Sequence, residues 1–159
     1  MSNLFEASRQ GNVAQIKSLL DSGTDVNEQD RYGTTALMEA AGYAPGDDAA
    51  LLLIDRGADL DAKAKDGTTA LMLVAIHGYT DTAEMLIQKG ANVDAQDRYG
   101  RTSLMLAAHS YSPSIIPILI KGGANLNLKN KTGKTALVIA KKAKCTEAVE
   151  MLKTAGATE

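Results

Sequence analysis

Gly33-Thr34-Thr35-Ala36-Leu37-Met38 is spelled again at Gly67-Thr68-Thr69-Ala70-Leu71-Met72. Two relatives follow, Gly100-Arg101-Thr102-Ser103-Leu104-Met105 and Gly133-Lys134-Thr135-Ala136-Leu137-Val138. The steps between the four glycines are 34, 33 and 33 residues. A second string, Gly-Ala-Asp/Asn-hydrophobic-Asn/Asp, recurs at Gly57, Gly90 and Gly123. Ser22-Gly23-Thr24-Asp25-Val26-Asn27 anticipates it, and Gly156-Ala157 closes the series. Two markers that keep one phase define an internal repeat, and a period near 33 residues means a stacked array.

Each unit reads as helix, turn, helix, hairpin. In the third, Thr69 is placed to cap an apolar helix running to His77, and Gly78 suits the left-handed residue that ends it. Thr80-Asp81 are expected to cap a second helix through Ala83, Met85, Leu86, Ile87 and Lys89, with Gly90 ending that one. Asp97-Arg98-Tyr99-Gly100 has turn chemistry. Helices this short are not stable alone, so each unit must bury its apolar face against the next.

A 33-residue period built this way resembles the ankyrin repeat over nearly the whole chain. The family pattern, Asp-x-x-Gly-x-Thr-Pro-Leu-His followed by Leu-Leu-x-x-Gly-Ala-Asp-Val-Asn, is largely kept at Asp30–Leu37 and Leu53–Asp61. Its proline is replaced by Ala36, Ala70, Ser103 and Ala136, and its histidine by Met38, Met72, Met105 and Val138. The resemblance implies that the family's Thr–His hydrogen bonds between units are partly absent, with methionine packing in their place. The Thr-Ala-Leu-Met form is similar to bacterial ankyrin repeats. The expected fold is an all-α repeat solenoid of stacked ankyrin units, about five with both caps, forming one domain over residues 1–159. An N-terminal cap at 2–29 precedes full repeats at 30–63, 64–96 and 97–129. A polar C-terminal cap follows at 130–159, where Lys141, Lys142 and Lys144 replace residues that inner repeats keep apolar or small.

Bulk composition excludes several classes. The 159 residues are 45% hydrophobic and 23% charged, which argues against disorder. Net charge is −2, with no global pull toward nucleic acid or anionic membrane. The charge is lopsided: residues 121–159 carry eight Lys and three Glu. No apolar run is long enough to span a bilayer, and no secretory leader is visible, so a cytoplasmic location is expected. The single cysteine, Cys145, has no disulfide partner and no ligand cluster around it. No cofactor, metal or enzymatic activity is implied.

Two breaks in the repeat stand out. One extra residue falls within Gly42-Tyr43-Ala44-Pro45-Gly46-Asp47-Asp48, read as a longer surface connection or as a binding loop presenting Tyr43, with Asp47 or Asp48 capping the next helix. In Ser110-Tyr111-Ser112-Pro113-Ser114-Ile115-Ile116-Pro117, Tyr111 takes the family's usual glycine. Pro117 demands either a kink or a late helix start, and a late start capped by Ser114 is the preferred reading.

The resemblance implies that hairpin tips and the exposed side of the first helices line a concave surface that binds another protein. The tips are Arg31-Tyr32, Lys65-Asp66, Arg98-Tyr99 and Lys131-Thr132. Thr34, Thr68, Arg101 and Lys134 follow on the same face, and Glu39, Tyr43, Ile76, His77, His109 and Ser110 extend it along the helices. Arg and Tyr are types enriched at interface hot spots. Alternatively, tip residues merely solvate the turns. Two other functions compete: a small-ligand, metal or enzymatic role near His77 and His109, and nucleic-acid binding through the basic C-terminal third. A shared metal would need both imidazoles about 2 Å from it. Nucleic acid is disfavoured because the lysines are spread out and aromatics are absent after Tyr111. The chain is expected to be monomeric by itself.

Overall fold

The computed structural model describes residues 4–43, 47–110 and 112–159. The helices fall into two compact units, Met1–Ala70 and Leu71–Glu159. Among the described residues no strand forms; Gln29 and Thr35 make one isolated antiparallel bridge.

In the N-terminal unit, α1 (Leu4–Arg9) and α2 (Val13–Asp21) form the first helix pair, and α3 (Ala36–Tyr43) and α4 (Asp48–Asp55) the second. Helix α1 lies on α3, and α2 lies on α4, so first helices stack on first and second on second. Leu4, Ile16, Leu37, Met38 and Leu53 are fully buried between them.

The C-terminal unit holds α5 (Ala70–His77), α6 (Thr80–Gln88), α7 (Ser103–His109), α8 (Ile116–Lys121), α9 (Ala136–Ala143) and α10 (Thr146–Thr154). Here α7 lies on α9, while α8 touches both α6 and α10. Leu71, Met72, Leu86, Leu104, Met105, Ile115 and Ile116 fill its interior. Met38, Met72 and Met105 are all at most 2% exposed, which bears out methionine packing where the family carries histidine.

The in-register threonine starts α3, α7 and α9 for a local reason. The hydroxyls of Thr35 and Thr102 accept from the amides of Met38 and Met105 at 3.3 Å, and Thr135 from Val138 at 3.4 Å. Each satisfies one of the amides that a helix start leaves unpaired. Beyond α2, where Asn12 Oδ1 accepts from the Gln15 amide at 3.1 Å, the second helices start differently. Thr80 and Asp81 are the first residues of α6 and not its cap; Tyr79 holds the cap position without a side-chain bond. Asp47 does sit at the cap position of α4, also without a side-chain cap bond.

Pro117 is accommodated by a late start. A short 3-10 turn, Pro113–Ile115, precedes α8, and Pro117 falls in the first turn of that helix, where a missing N–H leaves nothing unpaired. The cap position is Ile115, not Ser114, and carries no side-chain bond. Tyr111 and the inserted Ala44-Pro45-Gly46 lie outside the described residues. At the corresponding turn after α9, Lys144 takes the left-handed conformation at φ 58° that Gly78 takes at 74°.

Candidate functional site: the hairpin tips

In the N-terminal unit the first tip is built on Asp30. Its Oδ1 accepts from the backbone amides of Tyr32 and Thr34, both at 2.8 Å. Burial works to raise its pKa, but the amides of Thr34 and Tyr32 prevail and hold the carboxyl below its ordinary value. Gly33 turns the chain at φ 79°, and a Cβ there would stand 2.9 Å from the Lys65 nitrogen. That bare edge lets the next tip come close: the Lys65 amide donates to the Tyr32 carbonyl at 2.9 Å. Gln29 Nε2 clasps both tips, donating to the carbonyls of Gly33 at 3.0 Å and Lys63 at 3.2 Å. On this locked backbone Tyr32 is 58% exposed, with the Arg31 guanidinium 4.7 Å from its ring centroid.

The C-terminal unit repeats the device. Asp97 Oδ1 accepts from the Tyr99 and Arg101 amides at 2.8 Å each. A Cβ on Gly100 would meet the Lys131 nitrogen at 2.9 Å, and the Lys131 amide donates to the Tyr99 carbonyl at 2.9 Å. Gln96 Nε2 reaches the carbonyls of Gly100 and Lys129 at 2.7 and 3.2 Å. One difference is chemical. Arg101 donates through Nε to Asp97 Oδ2 at 2.6 Å and lies 4.9 Å from the Tyr99 centroid. Arg98 lies 4.7 Å from the same centroid and donates to the Tyr99 hydroxyl. Tyr99 is therefore held by two guanidiniums. At the second tip of this unit Asn130 stands in for the aspartate, accepting from the Thr132 and Lys134 amides at 2.9 and 3.0 Å.

A family model described as ankyrin repeats (3 copies) matches residues 4–97 and, in a second alignment, 92–158. The chain belongs to the ankyrin-repeat family. A comparison with curated proteins finds no match.

Within this ankyrin framework the expected surface residues have different fates. Arg31, Tyr32, Lys65, Arg98, Tyr99 and Lys131 are exposed. Thr34, Asp66, Thr68, Arg101 and Lys134 are half-buried beside them. Glu39 is 7% exposed, and its carboxylate takes Arg9 Nε at 2.8 Å and a second guanidinium nitrogen at 3.2 Å. It is committed within the unit and presents little to a partner. Tyr43 is 54% exposed at the end of α3. Ile76 is half-buried against Met72, Ala95 and Leu106, and Ser110 is a half-buried helix cap.

His77 is exposed and stacks on Tyr79, with centroids 5.5 Å apart. His109 lines a notch of about 250 Å³ with Lys134, Ile139, Lys142 and Ala143, a set that does not include His77. Among the described residues no group of three or more His, Cys, Asp or Glu is placed to hold a metal. Cys145 is a free, buried thiol at the start of α10. No helix among the described residues is long and apolar enough to cross a membrane.

Lys142 and Ile139 are the surface residues that the sequence reading missed. The sequence places Lys142 among the polar residues of the C-terminal cap and within the basic C-terminal third. The signal was present in the register: Lys142 lies nine residues beyond its tip glycine, Gly133, as His109 lies nine beyond Gly100.

Proposed function

We propose that this chain is a non-enzymatic scaffold that holds a protein partner through its hairpin tips and the adjoining first-helix surfaces. Ankyrin repeats are in general protein–protein interaction modules. The observation that carries the finer reading is the pair of exposed tyrosines, Tyr32 and Tyr99, each under a guanidinium on a turn whose backbone is tied at both ends. An aromatic ring with a polar end and an arginine fork offer large contact area with specific bonds. A turn already fixed by aspartate and by its neighbouring tip loses little conformational entropy on docking. The two rings take no part in closing the turns, which are held by backbone bonds and by the Asp30, Asp97, Gln29 and Gln96 side chains.

Replacing Arg31, Tyr32, Arg98 and Tyr99 together by Ala is expected to abolish capture of a specific host protein from lysate while the circular dichroism spectrum is kept. Against that purified protein, Tyr32→Ala with Tyr99→Ala is expected to weaken affinity at least about tenfold, or about 1.4 kcal/mol. Equal capture by both forms would move the binding surface away from the tips. Capture of no specific protein by the wild type would count against the scaffold reading.

A further inference from the structure

The surface beside the tips of the C-terminal unit carries a charge pattern that the repeat itself does not demand. One residue beyond each tip glycine stand Arg101 and Lys134, and nine beyond stand His109 and Lys142. His109, Lys134 and Lys142 converge on the notch of about 250 Å³, floored by Ile139 and Ala143, and no carboxylate lines it. Across the two tips and this notch the single acidic residue is Asp97. Its side chain is 1% exposed and already serves Arg101 and two backbone amides. Among the described residues Lys131, Lys134 and Lys142 have no ion-pair partner. By contrast Lys141, outside the notch, is neutralised by Glu159, whose pKa it draws down.

The N-terminal unit shows that this is not a by-product of stacking. Its residues one beyond the tip glycine are Thr34 and Thr68, and its first-helix charge, Glu39, is closed off by Arg9. The same tip geometry is therefore built there on a surface without uncompensated cations at these positions.

We propose that this face of the C-terminal unit binds an acidic segment of a protein partner. One carboxylate enters between Lys134, Lys142 and His109, and an adjoining apolar side chain meets Ile139. The proposal rests on the protein-binding reading above and narrows it to a partner chemistry. Unpaired lysines around a partly apolar notch attract carboxylates, speed their encounter and repel basic sequences. The notch is smaller than the roughly 300–1,000 Å³ of small-molecule sites, and it suits a side chain better than a whole ligand. Single-stranded nucleic acid needs free aromatic faces for stacking. The exposed ring on this face, Tyr99, already has two guanidiniums over it, with which a base would have to compete.

The test is selection of a random peptide library on the full chain, with the wild type, Lys134→Gln/Lys142→Gln and, as a charge-matched control on exposed second-helix lysines, Lys17→Gln/Lys121→Gln in parallel. Peptides recovered on the wild type are expected to be enriched in Asp and Glu at least about twofold over the library. The Lys134/Lys142 variant loses that enrichment, and the Lys17/Lys121 variant keeps it. A recovered acidic peptide is expected to bind the Lys134/Lys142 variant at least about tenfold more weakly, with affinity falling as salt rises. No acidic enrichment on the wild type, or the same enrichment on the Lys134/Lys142 variant, would overturn the proposal. So would tighter binding of oligothymidine than of any recovered peptide. Should a host protein still be lost on substituting the tyrosine tips while acidic enrichment fails, the scaffold reading stands and this inference alone falls.

Discussion

In the N-terminal unit the residues one, six and nine positions beyond Gly33 are Thr34, Glu39 and Gly42; beyond Gly100 in the C-terminal unit they are Arg101, Leu106 and His109. The turns that precede them are almost superimposable in their bonding. Asp30 and Asp97 each gather two amides, Gly33 and Gly100 each make way for the following tip, and Gln29 and Gln96 each clasp two carbonyls. The frame is shared because it is made of backbone atoms and the few side chains that bond to them. The surface is free to differ because none of its residues is needed to close the turn. In one unit that freedom is spent on an internal ion pair, Arg9–Glu39; in the other it leaves a patch of unpaired cations.

The largest expected effect falls on the shared frame. Gly33→Ala and Gly100→Ala each force a side chain into positive φ and into contact with the next tip, for a combined loss of about 3 kcal/mol. Gly123→Ala, at φ 88° with nothing within 4 Å, should cost only about 1 kcal/mol. Urea denaturation of the three variants measures this. Similar losses at Gly33 and Gly100 would sharpen the equivalence of the tips, and a loss at Gly100 no larger than at Gly123 would break it.

A middling effect falls on the device that only the N-terminal unit has. Arg9→Ala leaves the Glu39 carboxylate, 9% exposed, without its charged donor, at a cost of about 2 kcal/mol. Amide hydrogen exchange should show the lost protection in α1 and α3, and Glu39→Ala added to Arg9→Ala should recover part of it. Leu106, in the register of Glu39, is buried and apolar and gives the C-terminal unit no such vulnerability.

The smallest effect is titration of the Asp30 tip. Because its folded pKa lies below the ordinary value, the unfolded chain takes up the proton first as pH falls. The stabilisation is thus complete above the ordinary aspartate range and is lost as pH drops through the depressed folded value. Asp30→Asn should flatten that part of the stability–pH curve measured by thermal melts, as Asn130 already makes the same two bonds without a titrating group.

The turn glycines and the capping threonine, read at Thr69 and found at its register equivalents Thr35, Thr102 and Thr135, were legible in the chain because each depends on residues within a few positions of one another. The same logic failed at the starts of α6 and α8, where Tyr79 and Ile115 hold cap positions without side-chain bonds. There packing against the neighbouring helices, not a cap, fixes where the helix begins. Of the candidate surface, the Arg-Tyr tips could be read from the repeat register alone. Glu39 could not be removed from it by the same means, since its partner Arg9 lies thirty residues away in a different helix pair.

The amino-acid sequence by itself determined the family, the period, the places where the chain must turn and the residues at each turn's apex. Those follow from local sterics and short-range hydrogen bonds repeated in register. Only the tertiary structure decided which of the charges are consumed and which are left over. Arg9 and Glu39 neutralise each other across two helix pairs, and Lys134 and Lys142 meet His109 around one notch with no carboxylate. Electrostatic pairing depends on distance in space, and stacking the repeats is what sets that distance.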